Sequence, residues 1–265
     1  MSQTAKPLFS LITVTFNAER TLEATIKSIL GQTYSDTEFI IVDGKSTDGT
    51  VDIIKKYESG ITKWISEPDQ GLYDAMNKGM QLATGDYIWF MNAGDEIFTN
   101  DTLELISLQC SGQDIFYGEM MLIDAGGKEI GLRSRMTSQK LPAKLNWKSM
   151  RKGMAVGHQS FIIRKAVAPE FDISYHYSAD IDWIIKCLRN SKTITNTGLI
   201  LSKFLSNQVL GKFHAGGESK KHLYNSLKER FQIHRKHYGW FITILFHIFI
   251  ILKAAVFYIR RTVLG

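Results

Sequence analysis

The chain has 265 residues, of which 44% are hydrophobic and only 4 are proline, and this composition excludes a disordered or fibrous protein. Its net charge of +6 is unevenly distributed, because residues 1–100 carry −6, residues 101–200 carry +3 and residues 201–265 carry +9. The length fits one large domain with or without a tail, and an acidic front joined to a basic rear predicts different partners for the two ends.

The first hundred residues alternate between short apolar runs and segments in which apolar residues recur at helical spacing. Strands are predicted at residues 8–16, 37–44, 61–66 and 86–91, and helices at residues 19–30, 48–60 and 72–83. Such alternation predicts right-handed βαβ units and an α/β fold with a mainly parallel sheet flanked by helices.

Polar or acidic side chains follow every one of these predicted strands. Ligands bind beyond the carboxyl ends of strands in open α/β sheets, where Asp43, Asp69 and Asp95 are expected to converge. Converging carboxylates repel one another, so we expect them to hold Mg²⁺ or Mn²⁺ together with phosphate oxygens. The competing interpretation is that each aspartate caps a helix or forms a turn. The cap or turn is the better interpretation for Asp48, and a cation ligand is the better one for Asp95. For Asp43 both interpretations stay open.

A nucleotide held by a glycine-rich phosphate loop is excluded by the turn after the first strand. Residues 15–20 contain no glycine, and no Gly-x-x-x-x-Gly-Lys-Ser/Thr motif occurs in the chain. The remaining physical solution for a nucleotide is a diphosphate bridged by a metal ion.

Four ordered segments carry a resemblance to a known family. They are SLITVTFN (10–17), EFIIVDGKSTDGT (38–50), SEPDQGLYDAMNKG (66–79) and ATGDYIWFMNAGD (83–95). Together they resemble the inverting family 2 glycosyltransferases of the GT-A fold, and most of all those of bacterial surface-polysaccharide assembly. The resemblance continues more loosely through residues 157–165, 171–188 and 215–219. It implies a GT-A domain over residues 1–215, with a nucleotide-binding half (1–98), an acceptor half (99–215) and a helical tail (216–265).

The resemblance also implies roles for individual residues. Those implied to line or flank the nucleotide are Thr15, Phe16, Asn17, Asp43, Asp69, Gly71 and Asn77. Asp43 would hydrogen-bond the base, and Asn77 would lie on the helix that closes the pocket.

The implied metal site departs from the family pattern. Asp95 matches the last acidic residue of the family's Asp-x-Asp motif, but Asn92 and Gly94 stand where acidic residues are usual. Asp95 would therefore hold Mg²⁺ or Mn²⁺ with the donor diphosphate and waters, and weak metal binding is expected without the donor.

An inverting transfer needs a carboxylate that takes the proton of the acceptor hydroxyl. The resemblance places this base at Asp180, although Ala179 replaces the glutamate that commonly precedes it. The residues alone also allow Asp180 and Asp182 to be acids of a first helical turn, and their spacing points them in different directions. His158 is expected either to reach the diphosphate or the acceptor, or to be internally hydrogen-bonded.

The rear of the chain predicts contact with a lipid surface. Residues 128–165 hold ten Lys or Arg and one acidic residue, interleaved with Leu, Met and Trp, and a second basic cluster covers residues 220–238. The apolar segment 240–259 is long enough to span a bilayer, but it also fits a helix that lies in the interface or a buried core helix. We expect residues 128–165 and 220–265 to bind a membrane surface, and we expect no nucleic-acid binding because no such motif is present.

These features predict a metal-dependent inverting glycosyltransferase that moves a sugar from a nucleotide diphosphate-sugar, with UDP preferred, to a lipid-linked saccharide. Cys110 and Cys187 are too few for a disulfide framework and residues 1–6 are polar, so a reducing compartment and no secretory signal are expected. The expected location is the cytoplasmic face of a bacterial inner membrane, peripherally or through one C-terminal anchor. The alternative, motivated by the lost acidic positions, is a catalytically silent nucleotide-binding or scaffold subunit of a polysaccharide assembly complex.

Overall fold

The computed structural model describes residues 6–124, 126–205 and 223–264. The strands are β1 (Phe9–Thr15), β2 (Thr37–Asp43), β3 (Lys63–Ser66), β4 (Tyr87–Phe90), β5 (Glu96–Ile97), β6 (Ile115–Ile123), β7 (Glu129–Leu132), β8 (Phe161–Arg164) and β9 (Ile194–Leu205). The helices are α1 (Leu22–Leu30), α2 (Thr50–Lys56), α3 (Leu72–Leu82), α4 (Thr102–Ser107), α5 (Arg133–Met136), α6 (Ala179–Asn190), α7 (Leu223–Tyr238) and α8 (Trp240–Leu264).

All of these strands belong to one sheet, in the order β3-β2-β1-β4-β8-β6-β9-β5, with β7 paired to β6. Strands β1 to β4 are mutually parallel, as the alternation of strands and helices predicts. Strand β8 then joins β4 in the antiparallel direction, and β6 pairs antiparallel with β7 and β8 but parallel with β9. The prediction of a mainly parallel sheet is therefore correct for the first half and wrong for the whole, which is a mixed sheet. Apolar periodicity reports that a segment is a strand but carries no information about its direction.

The sheet separates two apolar cores because successive side chains of a strand point to opposite faces. In β1, Phe9 and Leu11 pack with α1, α2 and α4, whereas Ile12 and Val14 pack with α3 and α6. Each such fully buried side chain contributes about 1.5–3 kcal/mol of hydrophobic stabilisation. Covering both faces leaves the carboxyl ends of β1, β2 and β4 as the open edge, and this is where the polar residues lie.

Helix α7 packs against the acceptor half. Its Ile233 is buried, and the ring of Tyr238 stacks on Trp147 with centroids 5.5 Å apart and planes within 6°. The Tyr238 hydroxyl also donates to the Trp147 carbonyl at 2.6 Å. The predicted boundary at residue 215, the segment 215–219 and the first basic residues of the 220–238 cluster lie outside the described residues.

Helix α8 follows α7 after Gly239, which adopts a positive φ of 79°. It presents a row of exposed apolar side chains that are between 42% and 82% accessible. These are Trp240, Phe241, Ile244, Leu245, Ile248, Phe249, Ile251, Leu252 and Val256. Within the part of the chain that the structure describes, no helix combines the length and the apolar character needed to cross a membrane.

Candidate active site

A cleft of about 620 Å³ opens at the carboxyl ends of β1 and β4. Four of the residues predicted to meet the nucleotide line it, namely Thr15, Phe16, Asp69 and Gly71. The Thr15 hydroxyl is buried and has no hydrogen-bond partner among the described residues, so it is placed to bond a ligand. The Phe16 ring is 62% exposed, which leaves an aromatic face open for stacking.

Gly44 brings two of these lining residues together, and the sequence-based prediction missed it. A Cβ atom at this position would lie 2.5 Å from Asp69 Oδ2 and 3.4 Å from Phe16 Cδ2. Only a residue without a side chain lets the carboxylate and the ring approach the end of β2 this closely. The Asp69 Oδ1 atom accepts the Gly71 amide at 2.8 Å, and that bond fixes the turn before α3. The sequence feature that could have pointed to Gly44 is its position directly after Asp43, the last residue of the second strand.

Asp43 and Asn17 lie beside the cleft and are engaged with protein partners. The Asp43 carboxylate is fully buried and accepts from the Ser46 hydroxyl at 2.5 Å, the Ser46 amide at 2.9 Å and the Ser66 hydroxyl at 2.6 Å. The Asn17 side-chain oxygen accepts the Thr47 amide at 2.9 Å, which ties the loop after β1 to the loop after β2. Contact between Asp43 and a nucleotide base therefore stays a prediction.

The Asn77 side chain forms two hydrogen bonds with the backbone of Phe171. Its amide nitrogen donates to the Phe171 carbonyl at 3.0 Å and its amide oxygen accepts the Phe171 N–H at 2.8 Å. Asn77 is not among the residues that line the cleft. It holds the start of the segment that contributes Ile173 and Tyr175 to the cleft, so its effect on the pocket is exerted through that segment.

The end of β4 presents two oxygen groups that suit a hard cation. Asp95 is almost fully buried, and burial raises the pKa of its carboxyl to about 7, although His158 nearby lowers it. The Asn92 side-chain oxygen is also buried, with no hydrogen-bond partner among the described residues. A buried carboxyl and a buried amide oxygen that no described residue hydrogen-bonds fit Mg²⁺ or Mn²⁺ by donor chemistry. The described residues contain no group of three or more His, Cys, Asp or Glu that could hold a metal ion by themselves, so the donor diphosphate would have to supply ligands.

Asp180 lies next to the cleft at the start of α6. Tyr73, which lines the cleft, donates its hydroxyl to Asp180 Oδ1 at 3.3 Å, and the Ile181 amide donates to the same oxygen at 2.9 Å. The other carboxylate oxygen, Oδ2, lies 3.8 Å from Nδ1 of His158, which is longer than a hydrogen bond. Burial and the Asp180 charge raise the pKa of Tyr73 well above its usual range, so Tyr73 is a hydrogen-bond donor at neutral pH.

His158 connects the predicted base to the predicted metal site. Its Nε2 atom is 3.2 Å from the Asn92 amide nitrogen, and its buried Nδ1 atom faces Asp180. An amide nitrogen can only donate, so this contact is a hydrogen bond in the tautomer that carries the ring proton on Nδ1. The structure therefore brings Asp95, His158 and Asp180 into one neighbourhood, although they come from three separate parts of the chain.

Asp182, the other acid of the first turn of α6, faces away from this neighbourhood. It is fully buried, with Oδ1 2.7 Å from His237 Nε2 and Oδ2 2.6 Å from the Lys186 ammonium. These partners hold the pKa of Asp182 at about 2 even though burial alone would raise it. The two aspartates are thus distinguished by their surroundings, and the one beside the cleft is Asp180.

Two further residues at the site were missed by the sequence-based prediction. The Tyr73 hydroxyl forms the hydrogen bond between the cleft and Asp180, and the sequence signal for Tyr73 was its place in the first turn of the helix that follows Gly71. Glu229 of α7 accepts the backbone amides of His176 and Tyr177, which both line the cleft. The sequence feature that could have pointed to Glu229 is that it is the only acidic residue after Glu218, within a strongly basic part of the chain.

Comparisons with known proteins show which sequences this chain is similar to. A family model for Glycosyl transferase family 2 matches residues 10–170. The PGL/p-HBAD biosynthesis glycosyltransferase of Mycobacterium tuberculosis is 31% identical over 201 residues, which cover 72% of this chain and 73% of that protein. The UDP-Glc:alpha-D-GlcNAc-diphosphoundecaprenol beta-1,3-glucosyltransferase WfgD of Escherichia coli is 26% identical over 208 residues, covering 76% of this chain and 78% of the relative.

Solved structures share the fold at low sequence identity. TarS 1–349 of S. aureus in complex with UDP-GlcNAc superposes with a TM-score of 0.63 at 16% identity, over 86% of this chain and 66% of that one. The mannosyltransferase PcManGT of Pyrobaculum calidifontis, in complex with GDP-Man and Mn²⁺, gives a TM-score of 0.60 at 14% identity, over 98% and 76%. At these identities the likeness shows the fold.

Proposed function

The chain belongs to glycosyl transferase family 2, and from this we propose that it transfers a sugar from a UDP-sugar to a lipid-linked saccharide, with inversion at the anomeric carbon. The observation that carries the proposal is the position of Asp180, hydrogen-bonded to a tyrosine that lines the cleft and separated from the ion-paired Asp182. The WfgD relative is named for a UDP-glucose donor and a diphosphoundecaprenol-linked acceptor, which supports both substrate classes.

The proposed reaction is one displacement. The acceptor oxygen forms its bond to the anomeric carbon while the bond from that carbon to the diphosphate oxygen breaks, and the electron pair leaves with the nucleoside diphosphate. Asp180 Oδ2 takes the proton of the acceptor hydroxyl, because Oδ1 already accepts from Tyr73 and Ile181. The bond from Tyr73 holds the carboxylate in one orientation, which is the role of a base positioned before the substrate arrives.

The donor nucleotide is proposed to occupy the part of the cleft lined by Thr15, Phe16 and Asp69. The exposed Phe16 ring offers a stacking face, and the buried Thr15 hydroxyl offers a hydrogen bond that no described residue uses. Asp95 and the Asn92 side-chain oxygen would hold a divalent cation, which when bound neutralises the charge that grows on the departing diphosphate.

A donor screen tests the function and its metal. We expect UDP-glucose or UDP-GlcNAc with Mn²⁺ to raise the melting temperature by about 5–10 °C at 100 times Kd, and either component alone to raise it by much less. Transfer to a synthetic α-GlcNAc diphosphate lipid is then followed by NMR, in which an α-linked donor should give a β-linked product.

The Asp95→Asn variant is expected to lose the part of the donor shift that depends on Mn²⁺, because an amide is a weaker ligand than a carboxylate for this cation. The matched control is Asp52→Asn, on the exposed face of α2, which should behave as wild type. If a donor binds but none of the UDP-, GDP- and dTDP-sugars is transferred or hydrolysed, the proposed enzymatic activity is contradicted. That result would favour a catalytically silent nucleotide-binding subunit.

We further propose that the exposed face of α8 rests on an anionic membrane surface at the cytoplasmic side, next to cations of the 128–165 cluster. Several cations of that cluster are used inside the protein, because Arg133 donates to backbone carbonyls and Arg151 stacks on Trp147. Five exposed cations lie between these residues and β8, or beside them, namely Arg135, Lys140, Lys144, Lys148 and Lys152.

The lysines beside α8 support this orientation. The Lys152 ammonium lies 5.9 Å from the ring of Phe249, one of the exposed apolar residues of α8. Burial and the nearby charges of Lys152 and Lys140 lower the pKa of Lys253 on the same helix. Lipid phosphates would relieve this repulsion while the acyl region covers the apolar row.

Replacing Phe241, Leu245 and Leu252 together by Asp is expected to lower partitioning onto vesicles that contain phosphatidylglycerol by about 10²-fold or more, since each buried side chain contributes about 1.5–3 kcal/mol. Vesicle co-sedimentation measures the effect. The control is Leu108→Asp, which changes a side chain that is 78% exposed outside α8. Equal retention of the triple variant and wild type would contradict membrane docking through α8.

A further inference from the structure

One face of α7 holds the segment that forms a wall of the cleft. This wall segment, residues 172–178, contributes Ile173, Tyr175, His176 and Tyr177 to the cleft lining. The Glu229 carboxylate binds the middle of the wall segment with both oxygens. Its Oε1 accepts the His176 amide at 2.9 Å, and its Oε2 accepts the Tyr177 amide at 2.9 Å.

Two other residues on α7 hold the ends of the wall segment. The Ser226 hydroxyl lies 3.2 Å from the Ser178 hydroxyl, and the Lys236 ammonium lies 3.2 Å from Asp172 Oδ2. Residue 226 is three positions before Glu229 and residue 236 is seven positions after it, so the three side chains share one helix face. The wall segment is thus fastened to α7 at its start, its middle and its end.

The wall segment needs such partners because it has no regular secondary structure. A backbone N–H in an irregular segment has no ladder or helix bond to satisfy it, and leaving it unpaired away from water is costly. Glu229 is mostly buried and supplies a charged acceptor to two consecutive N–H groups, and charge-assisted bonds of this kind are stronger than neutral ones. Among the described contacts, it is this carboxylate that satisfies both amides.

We propose that Glu229 is a positioning residue for acceptor binding, which sets the wall segment at the distance that an acceptor saccharide requires. The inference rests on the proposed function. The wall segment runs directly into α6, whose second residue is Asp180, so a hydroxyl that reaches Asp180 belongs to a sugar that passes along this wall. Tyr175 and His176 present rings with polar tips, which suit both the apolar faces and the hydroxyls of a saccharide.

The test is Glu229→Gln, which keeps the shape but turns an N–H₂ group toward one of the two backbone amides. With UDP-glucose and an α-GlcNAc diphosphate carrying an undecyl chain, we expect the acceptor KM to rise about tenfold, as for the loss of one charge-assisted bond, and the donor KM to stay within twofold. Hydrogen exchange at the His176 and Tyr177 amides should accelerate by about tenfold. Glu229→Asp keeps both oxygens on a shorter side chain, so its acceptor KM should fall between wild type and Glu229→Gln.

The matched control is Glu104→Gln, at an exposed carboxylate of α4 that accepts the Thr33 hydroxyl, and both KM values should be those of wild type. An unchanged acceptor KM in folded Glu229→Gln, or an equal rise in both KM values, would overturn the positioning role. If Glu229→Gln does not fold, an acceptor KM for Glu229→Asp equal to that of wild type would overturn it as well. A wild-type chain that transfers no sugar from any donor would instead refute the proposed function, and the two failures are thereby separated.

Discussion

Asp180→Asn is expected to lower kcat by about 10²–10⁴-fold, because the amide cannot take the proton of the acceptor hydroxyl. The fold around it should persist, since an Asn oxygen can still accept from the Tyr73 hydroxyl and from the Ile181 amide. Donor affinity should also persist, because Asp180 is not among the residues that line the cleft where the nucleotide is proposed to bind. Initial rates at saturating donor and acceptor, with donor titration by calorimetry, measure both quantities.

Turnover of Asp180→Asn within threefold of wild type would show that another group is the base. A loss of melting temperature that matches the loss of activity would assign Asp180 a structural role instead. The rate of Tyr73→Phe separates orientation from proton transfer, because that variant removes the hydroxyl that holds Oδ1 and leaves the carboxylate in place. Its kcat should fall by less than that of Asp180→Asn.

Asp182→Asn makes the same chemical change two residues further along α6, and we expect the opposite outcome. The free energy of unfolding should fall by about 2–3 kcal/mol, because the amide cannot form the ion pairs that lower the pKa of the Asp182 carboxyl from 3.8 to about 2. The new N–H₂ group would face the Lys186 ammonium, which lies 2.6 Å from Oδ2, or the imidazole of His237. Denaturant unfolding of the two Asp→Asn variants beside wild type measures the contrast, with turnover per folded molecule as the second readout.

The contribution of Asp182 should depend on pH in a defined window. Its partners depress the pKa of the folded carboxyl from the ordinary 3.8 to about 2, so the stability it provides is complete above about pH 4. That stability is lost as the pH falls from about 4 to about 2. Unfolding measured in this range should therefore show wild type approaching Asp182→Asn. A difference between the two that stays constant down to pH 2 would contradict the ion-pair account.

Asp180 and Asp182 show what residue spacing can predict and what it cannot. The two acids of the first helical turn were recognisable from the sequence, and so was the fact that at most one could face a substrate. Which one does so depends on partners that are remote in the chain. Tyr73 and Asp180 are 107 positions apart, and Asp182 and His237 are 55 positions apart.

The order and kind of the first seven strands and helices could be read from the sequence, because burial on both sides of a sheet leaves a local apolar period. The antiparallel return of β8 and the bond from Glu229 to the wall segment could not, since both depend on contacts between distant segments.

The α/β alternation, the polar residues at the strand ends and the family resemblance all follow from the order of the residues alone, and the matched family model confirms the resemblance. The packing of distant segments places Asp180 beside the cleft, surrounds the Asp43 carboxylate with serines, and attaches a wall of the cleft to α7. Periodicity indicates which side of a helix or strand is buried, whereas the packing of the elements sets which group that side is buried against.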